Sequence, residues 1–336
     1  MSLLENVRNV IRSSIFNADN PTGKLSPNAM LQQRYIIVQR VGKGGMGAVY
    51  EAVDTRIRNR HVAIKEMSQA KLSSEDRLFY EKQFQDEADM LRRLSHAHLP
   101  KVYEAFQERN RSYTVMDFIR GETLLNMLEK YKGSPMPVEQ VLHYALQLCD
   151  VLTYLHQQTP PVIFRDLKPA NVMIDADANI FLIDFGIARL LKEDQSVDTH
   201  IFLSEGYAAP EQYGITSYGT SQTTAQSDLY SLGATLHHCL TAKRPMGIAD
   251  RFRFASVNKY NPQVPKQLDP LIQRLVEHDP QLRPANAREV RQVLLAMQKD
   301  LPANKGQGPL HLGKLHPFGS SPSINDNATG KCKIYV

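Results

Sequence analysis

The predicted secondary structure of this chain changes near residue 122, and this change limits the folds that it can adopt. Before that point, short β-branched or alternating segments predict strands around one helical pattern at 75–94, and they lie at residues 34–42, 48–55, 61–67, 99–108 and 111–119. After it, four apolar-striped segments predict helices, at residues 138–158, 227–242, 268–279 and 286–301. A strand-rich part followed by a helix-rich part predicts an α+β fold.

Length and composition are those of a globular protein with a core. The chain has 336 residues, of which 42% are hydrophobic and 22% charged, enough for one two-lobed domain or two ordinary ones. The net charge of +5 comes from dispersed basic residues, so nucleic acid is not an expected partner. Three distant cysteines without a CxxC pair favour a reducing compartment, and we expect a cytoplasmic protein. No apolar run reaches the roughly 18 residues that predict a transmembrane segment.

The two ends of the chain differ from its middle. Apolar residues among the first 16 repeat at helical spacing, which predicts a short amphipathic helix, packed on the main domain or docked on a partner or membrane surface. Residues 17–32 have the composition of a loop or linker. We therefore predict an N-terminal extension at 1–34 and, from its Gly, Pro, Ser and Asn content, a flexible C-terminal tail at 298–336.

A glycine-rich stretch, VGKGGMGAVY, follows the first predicted strand. Gly42, Gly44 and Gly47 form a G-x-G-x-x-G pattern, with Val49 two residues later. A dinucleotide-binding turn has the same glycines between a strand and a helix. Here a second strand follows, so the pattern predicts a hairpin whose backbone N–H groups lie over phosphates, with Val49 covering a flat base.

A lysine, Lys65, lies within the predicted buried strand that contains VAIK. Burying an ammonium group is costly unless it is paired, and phosphate oxygens with a carboxylate would supply the pairing. Glu87 on the following helix is the favoured carboxylate, because its spacing to Leu91 fits an inward face. Glu81 and Asp86 on the same helix are the alternatives.

Two further segments, FRDLKPAN and IDFG, contain the residue types that phosphoryl transfer requires. Asp166 is suited to accept the proton of an attacking hydroxyl, and Lys168 to neutralise charge on the moving phosphoryl group. Asn171 offers an amide oxygen, and Asp184 a carboxylate, to a metal ion that bridges phosphates. This chemistry depends on positioning and charge neutralisation, and these residues provide both.

Over residues 35–297 the motifs and their order resemble the eukaryotic-type (Hanks-type) serine/threonine protein kinases, and within them the bacterial subset. The resemblance implies a bilobal fold, with a small N-lobe at about 35–119 of antiparallel sheet and one helix, and a mostly helical C-lobe at about 120–297. It implies transfer of the γ-phosphoryl group of ATP to serine or threonine hydroxyls of protein substrates. Mg²⁺ is the implied metal, with Mn²⁺ as the alternative.

The resemblance also implies roles for individual residues. Asp166 would be the catalytic base, assisted by Lys168, and Lys65 would contact phosphates and pair with Glu87. Two residues would bind the metal ions, Asn171 and Asp184. The implied nucleotide-binding residues are Val41, Gly42, Gly44, Gly47, Val49, Ala63, Lys65, Met116, Asp117, Ile119 and Met173.

Other implied roles are structural or regulatory. Glu211 and Arg283 would form a buried ion pair, and Asp228 would hold the backbone of the catalytic loop. Arg165 would bind a phosphate on the activation segment, with self-association allowing autophosphorylation. The candidate hydroxyls are those of Ser196, Thr199 and Ser204, and we favour the first two.

One position departs from the family pattern, since Phe164 replaces the usual histidine before Arg165. The resemblance implies that this ring packs beneath Phe185, away from the phosphates, where Phe fills the space. Because Lys65, Asp166 and Asp184 are all present, we favour an active kinase over a catalytically weak scaffold that binds nucleotide or a partner. The AAPE segment at 208–211 disfavours a small-molecule phosphotransferase.

Overall fold

The computed structural model describes most of the segments between residues 23 and 300. The described residues are 23–44, 47–67, 84–85, 88–109, 111–184, 205–213, 223–246 and 252–300. They form two compact units. The first contains the described parts of Met1–Asp89 and Val102–Phe118, and the second those of Met90–Lys101 and Ile119–Ile334.

The first unit is built on an antiparallel sheet, which has six strands among the described residues. These are β1 (Met30–Leu31), β2 (Tyr35–Gly44), β3 (Gly47–Asp54), β4 (Arg60–Met67), β5 (Val102–Glu108) and β6 (Arg111–Asp117). Their order in the sheet is β1-β2-β3-β4-β6-β5, so only the last two strands exchange places relative to the sequence. All five strands that the sequence predicts before residue 122 are therefore found.

One face of this sheet forms the core of the first unit. Successive side chains of a strand point to opposite faces, so alternate residues share the core. The core cluster consists of Leu31, Tyr35, Ile37, Ala48, Tyr50, Ala52, Val62, Ile64, Tyr113 and Val115. The residues that alternate with these along each strand point to the opposite face of the sheet.

Folded structure begins upstream of residue 35, where the sequence analysis placed the start of the kinase-like region. Leu31 is 2% exposed and belongs to the core of the first unit. The Asn28 amide donates to the carbonyl of Ile37, and the Ile37 amide donates to the carbonyl of Ala29. The described residues 23–34 are therefore part of the sheet's packing, although a two-residue strand carries no periodicity that the sequence could reveal.

Residues 84–85 and 88–93 are helical, inside the range 75–94 that the sequence predicts. Phe84, Ala88 and Leu91 are buried, as expected for the apolar side of that helix. Glu87, the predicted partner of Lys65, lies outside the described residues.

The second unit combines helices with a small antiparallel sheet, whose described strands are β7 (Gly121–Thr123), β8 (Val172–Asp175) and β9 (Ile180–Leu182). Its helices are α1 (Leu124–Lys130), α2 (Val138–His156), α3 (Ala225–Thr241), α4 (Val257–Tyr260), α5 (Leu268–Leu275) and α6 (Ala287–Asp300). The four predicted helices correspond to α2, α3, α5 and α6. Within the described residues, none of the helices is both long and apolar enough to span a membrane.

Helix α3 is deeply buried, since every residue from Ser227 to Thr241 is buried. It packs against α2 and α5. Its N-terminus has a capping box, in which Thr224 accepts from the Gln226 amide and the Ser227 hydroxyl accepts from the Thr224 amide. The cap fixes the start of a helix that also supplies Asp228.

Two adjacent histidines, His237 and His238, lie in the buried C-terminal half of α3. The Tyr207 hydroxyl lies 2.7 Å from Nδ1 of His238. Burial, helped by the nearby charges of Arg244 and His237, lowers the pKa of His238 to about 4. Burial also raises the pKa of Tyr207, so the phenol donates and the neutral imidazole accepts.

We predict that His238 makes the folded state less stable in acid. Its pKa is 6.5 unfolded and about 4 folded, so the unfolded state binds the extra proton and stability falls as pH drops from 6.5 towards 4. At pH 5 this group should lower the free energy of unfolding by about 2 kcal/mol relative to pH 7.5. Urea unfolding across this range should show a shallower dependence for His238→Gln than for the native chain. An unchanged slope would contradict the assignment.

Candidate active site

The glycine-rich stretch forms the hairpin between β2 and β3. Gly42 pairs with Val49, Lys43 with Ala48, and Gly44 with Gly47. The glycines therefore lie at the adjoining ends of two antiparallel strands, as expected of a hairpin, and no helix follows them directly. Val41 lies at an irregularity in the register between Arg40 and Gly42.

Gly47 is required by its surroundings as well as by its conformation. Its φ is +152°, and a Cβ at this position would lie 1.9 Å from the backbone oxygen of Glu66 on β4. No side chain fits at that distance, because the obstacle is backbone. Glycine thus allows β3 to approach β4 closely at the first residue of β3.

The sheet face opposite the core cluster brings the predicted nucleotide-binding residues together. Val49 pairs with Lys65, and Lys65 pairs with Thr114, so these three side chains cross the sheet in one row. In the next row of the same face, Ala63 pairs with Met116. Lys65 is 7% exposed. Lys65 thus shares one face of the sheet with Val49, Ala63 and Met116, which are predicted to bind the nucleotide as well.

The end of β6 carries a contact that the sequence analysis did not find. The Tyr103 hydroxyl on β5 donates to Oδ1 of Asp117. The guanidinium of Arg60 lies over the Tyr103 ring, 3.9 Å from its centroid, within cation–π distance. The Tyr103 hydroxyl thus holds the side chain of Asp117, whose backbone is predicted to contact the base.

In the second unit, the loop before β8 gathers the predicted catalytic side chains around Asp166, which is 7% exposed. Asn171 donates its Nδ2 to the Asp166 backbone oxygen at 2.8 Å and to the Asp166 Oδ2 at 2.9 Å. Lys168 Nζ lies 3.1 Å from the same carboxylate oxygen. Because Nδ2 makes both bonds of Asn171, the side-chain oxygen is the atom that a cation would contact.

The carboxylate of Asp228 holds the backbone just before Asp166. Its Oδ1 accepts from the Arg165 amide at 2.7 Å, and its Oδ2 accepts from the Phe164 amide at 2.8 Å. His156 Nε2 also lies 2.8 Å from Oδ2. Asp228 is fully buried, and Arg165 has a left-handed φ of +69°. Charge-assisted bonds therefore support an unusual backbone conformation directly before the predicted base.

Phe164, the departure from the family pattern, is 1% exposed. Its backbone amide reaches Asp228 as just described, which needs no particular side chain. Phe185, the predicted neighbour of its ring, lies outside the described residues. The ring of Phe164 is therefore buried as expected, and its stacking on Phe185 stays a prediction.

The two predicted metal-binding residues are linked through the backbone. Asp184 follows β9, and the amide of its neighbour Ile183 donates to the Asn171 carbonyl at 2.9 Å. Asp184 has a φ of +58°, also in the left-handed region. A carboxylate and an amide oxygen are the hard oxygen donors that Mg²⁺ prefers, so the donor set fits this ion with phosphate and water as further ligands.

Glu211 and Arg283 form the predicted buried ion pair. Two parallel bonds join them, at 2.7 Å from Nη1 and 2.9 Å from Nη2. The Arg283 side chain is 0% exposed, and it also donates to the carbonyls of Glu277 and Gln226 at 2.8 Å. The pair ties residues 210–213 to the segment before α6.

The remaining predicted residues are only partly described. Met173 lies on β8 and is 9% exposed, and Ile119 lies just before β7. The three candidate phosphorylation residues, Ser196, Thr199 and Ser204, lie outside the described residues. Gln212 was missed by the sequence analysis, and its Nε2 donates to the carbonyl of Arg165 at 3.1 Å. A lone glutamine has no sequence signal for such a contact.

We predict that Glu211→Ala will destabilise the protein strongly, because it leaves the buried Arg283 guanidinium without its carboxylate. The free energy of unfolding should fall by about 3–5 kcal/mol. The matched control is Arg274→Ala, which breaks the exposed pair with Glu289 and should cost about 0–1 kcal/mol. Denaturant unfolding of both variants measures the contrast, and equal losses would contradict this account of the buried pair.

Comparison with known proteins identifies the family of this chain. The protein kinase domain family matches residues 35–295. A probable serine/threonine-protein kinase of Clostridium acetobutylicum is 31% identical over 272 residues, which are 78% of this chain and 39% of that protein. Serine/threonine-protein kinase C of Synechocystis sp. is 31% identical over 298 residues, which are 85% of this chain and 54% of that protein. The chain thus spans about two fifths to half of the length of these relatives.

Solved structures show the same fold. The kinase domain of Mycobacterium tuberculosis PknI has a TM-score of 0.64 at 24% identity, over 82% of this chain and 99% of that one. The structure titled PpkA-294 apo form has a TM-score of 0.68 at 24% identity, over 81% of this chain and all of that one. These likenesses confirm the predicted bilobal α+β fold. The family match over residues 35–295 shows that the chain belongs to the protein kinase domain family.

Proposed function

We propose that this chain is a serine/threonine protein kinase, which transfers the γ-phosphoryl group of ATP to hydroxyl groups of protein substrates. The observation that carries the proposal is the group formed by Asp166, Lys168 and Asn171 on a loop that Asp228 holds from behind. The curated relatives bear the name serine/threonine-protein kinase, which supports this choice of acceptor.

The first unit supplies residues suited to bind the nucleotide. Lys65 would contact phosphate oxygens, and the glycine-rich hairpin would offer backbone N–H groups to the same phosphates. Val49, Ala63 and Met116 share the face of Lys65 and would contact the base. The ion pair of Lys65 with Glu87, and the base contacts of Asp117, Ile119 and Met173, are part of this proposal.

The second unit supplies residues suited to the transfer itself. The substrate hydroxyl oxygen would attack the γ-phosphorus while the bond to the β,γ-bridging oxygen breaks, releasing ADP. The Asp166 carboxylate would accept the hydroxyl proton, and Lys168 beside it would balance the charge of the phosphoryl group. Mg²⁺, or Mn²⁺ in its place, would neutralise phosphate charge when held by Asn171 and Asp184.

We predict that Asp166→Asn lowers phosphate transfer from labelled ATP to myelin basic protein and to the chain itself by at least about a hundredfold. The amide keeps the size of the side chain but cannot accept the proton. Nucleotide affinity, measured separately by titration calorimetry, should stay within about threefold. The matched control Asp177→Asn changes an exposed turn after β8 and should leave both quantities unchanged.

The two measurements distinguish the alternatives. Equal transfer by the native chain and Asp166→Asn would refute the role of Asp166. Nucleotide binding without any transfer by the native chain would favour the nucleotide-binding scaffold that the sequence analysis kept as its alternative.

We also propose that autophosphorylation of the activation segment regulates the kinase, with self-association bringing two copies together. Support comes from Arg165, whose backbone is fixed by Asp228 and Gln212 next to the predicted base. We predict that mass spectrometry of protein incubated with ATP finds phosphate on Ser196 or Thr199, and none after incubation of Asp166→Asn. A fully active enzyme with both hydroxyls unmodified would contradict this mode of regulation.

A further inference from the structure

A buried carboxylate, Glu66, directly follows the predicted phosphate-binding lysine on β4. Glu66 is 0% exposed and points to the core face, opposite to Lys65. Its Oε2 accepts from the Gly23 amide at 2.8 Å and from the Tyr50 hydroxyl at 2.9 Å. The guanidinium of Arg111 on β6 contacts the other oxygen, Oε1. One carboxylate thus joins β3, β4 and β6 to a segment that precedes the sheet.

That segment, residues 23–29, is bonded to the sheet at several points. The Gly23 carbonyl accepts from Nη1 of Arg40 on β2 at 2.6 Å, and the Leu25 amide donates to the Tyr50 hydroxyl at 3.2 Å. Both polar atoms of the Gly23 backbone are therefore engaged, one with Glu66 and one with Arg40. Gly23 has a φ of +88°, a conformation that favours glycine.

Gly23 lies against the end of the glycine-rich hairpin. A Cβ at Gly23 would be 3.1 Å from Cδ of Lys43 and 3.5 Å from Cβ of Ala48. Lys43 and Ala48 are the pair next to Gly44 and Gly47, the last pair of the hairpin. The segment thus supports the hairpin one residue pair away from its tip.

A glycine-rich hairpin loses much conformational freedom when it orders over a ligand. If contacts already restrict the hairpin in the free protein, less conformational entropy is lost when the ligand binds, and binding is tighter. Because residues 23–29 restrict it from the core face, they leave the face with Lys65 and Val49 open to nucleotide.

The charge of Glu66 is not explained by stability alone. Burying an ion pair seldom stabilises a protein more than packed apolar side chains of similar size. Val62 and Ile64 show that apolar residues pack well on this face of β4. What a carboxylate adds is directional bonding to the Gly23 amide, the Tyr50 hydroxyl and the Arg111 guanidinium.

We infer that residues 23–29 are a brace that positions the glycine-rich hairpin for nucleotide, with Gly23, Arg40 and Glu66 as positioning residues. The inference rests on the proposed function, because it concerns ATP binding by the same hairpin. The brace lies upstream of residues 35–295, which match the protein kinase domain family. It is therefore a feature of this chain that the family match does not include.

The test uses the full chain and two mild substitutions, Arg40→Met and Gly23→Ala. Arg40→Met removes the donor to the Gly23 carbonyl at an exposed position, and Gly23→Ala strains the backbone at φ +88°. The matched control is Arg58→Met, in the exposed turn between β3 and β4. The Kd for ATP with Mg²⁺ is measured by calorimetry, kcat and KM by phosphate transfer, and Tm by thermal unfolding.

Each brace variant should raise the Kd and KM for ATP by about fivefold and leave kcat within about twofold, with Arg58→Met unchanged. A purely structural role would instead lower Tm while Kd stays at the native value, and this result would overturn the inference. If the native protein binds ATP and both brace variants bind it with the native Kd, the inference is overturned and the proposed function is not. Native protein that binds no ATP would overturn the proposed function together with the inference.

Discussion

The chemistry proposed for the second unit depends on one buried carboxylate, that of Asp228. It accepts hydrogen bonds from the amides of Phe164 and Arg165, and His156 lies at hydrogen-bond distance from the same group. These bonds compensate the cost of burying the charge, and they fix two consecutive peptide groups immediately before Asp166. Helix α3, which is capped and buried from Ser227 to Thr241, provides the rigid support for Asp228. A flexible support would let Asp166 move away from the geometry that the proposed transfer requires.

In the first unit, the two faces of one sheet have different roles: one forms the core, and the other is proposed to bind nucleotide. The core face of β4 carries Val62, Ile64 and Glu66, and the other face carries Ala63 and Lys65. Strand geometry alone enforces this division, because neighbouring residues point in opposite directions. Bonds to Glu66 can therefore restrain the strand that bears Lys65 from the core face, away from the face proposed to bind nucleotide. Glu66 and Lys65 are thus adjacent in sequence and lie on opposite faces of the sheet.

The sequence predicted those parts that have a period or a motif. β-Branched residues and alternation revealed β2 and β3, and a short apolar run revealed β4. Apolar stripes revealed α2, α3, α5 and α6, and the glycine pattern located the hairpin. Elements of two to four residues, such as β1 and β8, are too short for any periodicity to show. The contact of Gly23 with Glu66 uses a backbone amide, which every residue but proline has. Contacts of that kind depend on where the chain folds back, and so only the structure reveals them.

The same reasoning explains why Phe164 is compatible with an intact catalytic loop. At this position the bond to Asp228 comes from the backbone amide, which Phe provides as well as His. The imidazole that does lie against Asp228 belongs to His156, at the end of α2, so the carboxylate keeps a ring nitrogen nearby. The side chain of residue 164 is buried, at 1% exposure, and takes no part in that bond. The departure from the family pattern therefore leaves the backbone support of Asp166 in place.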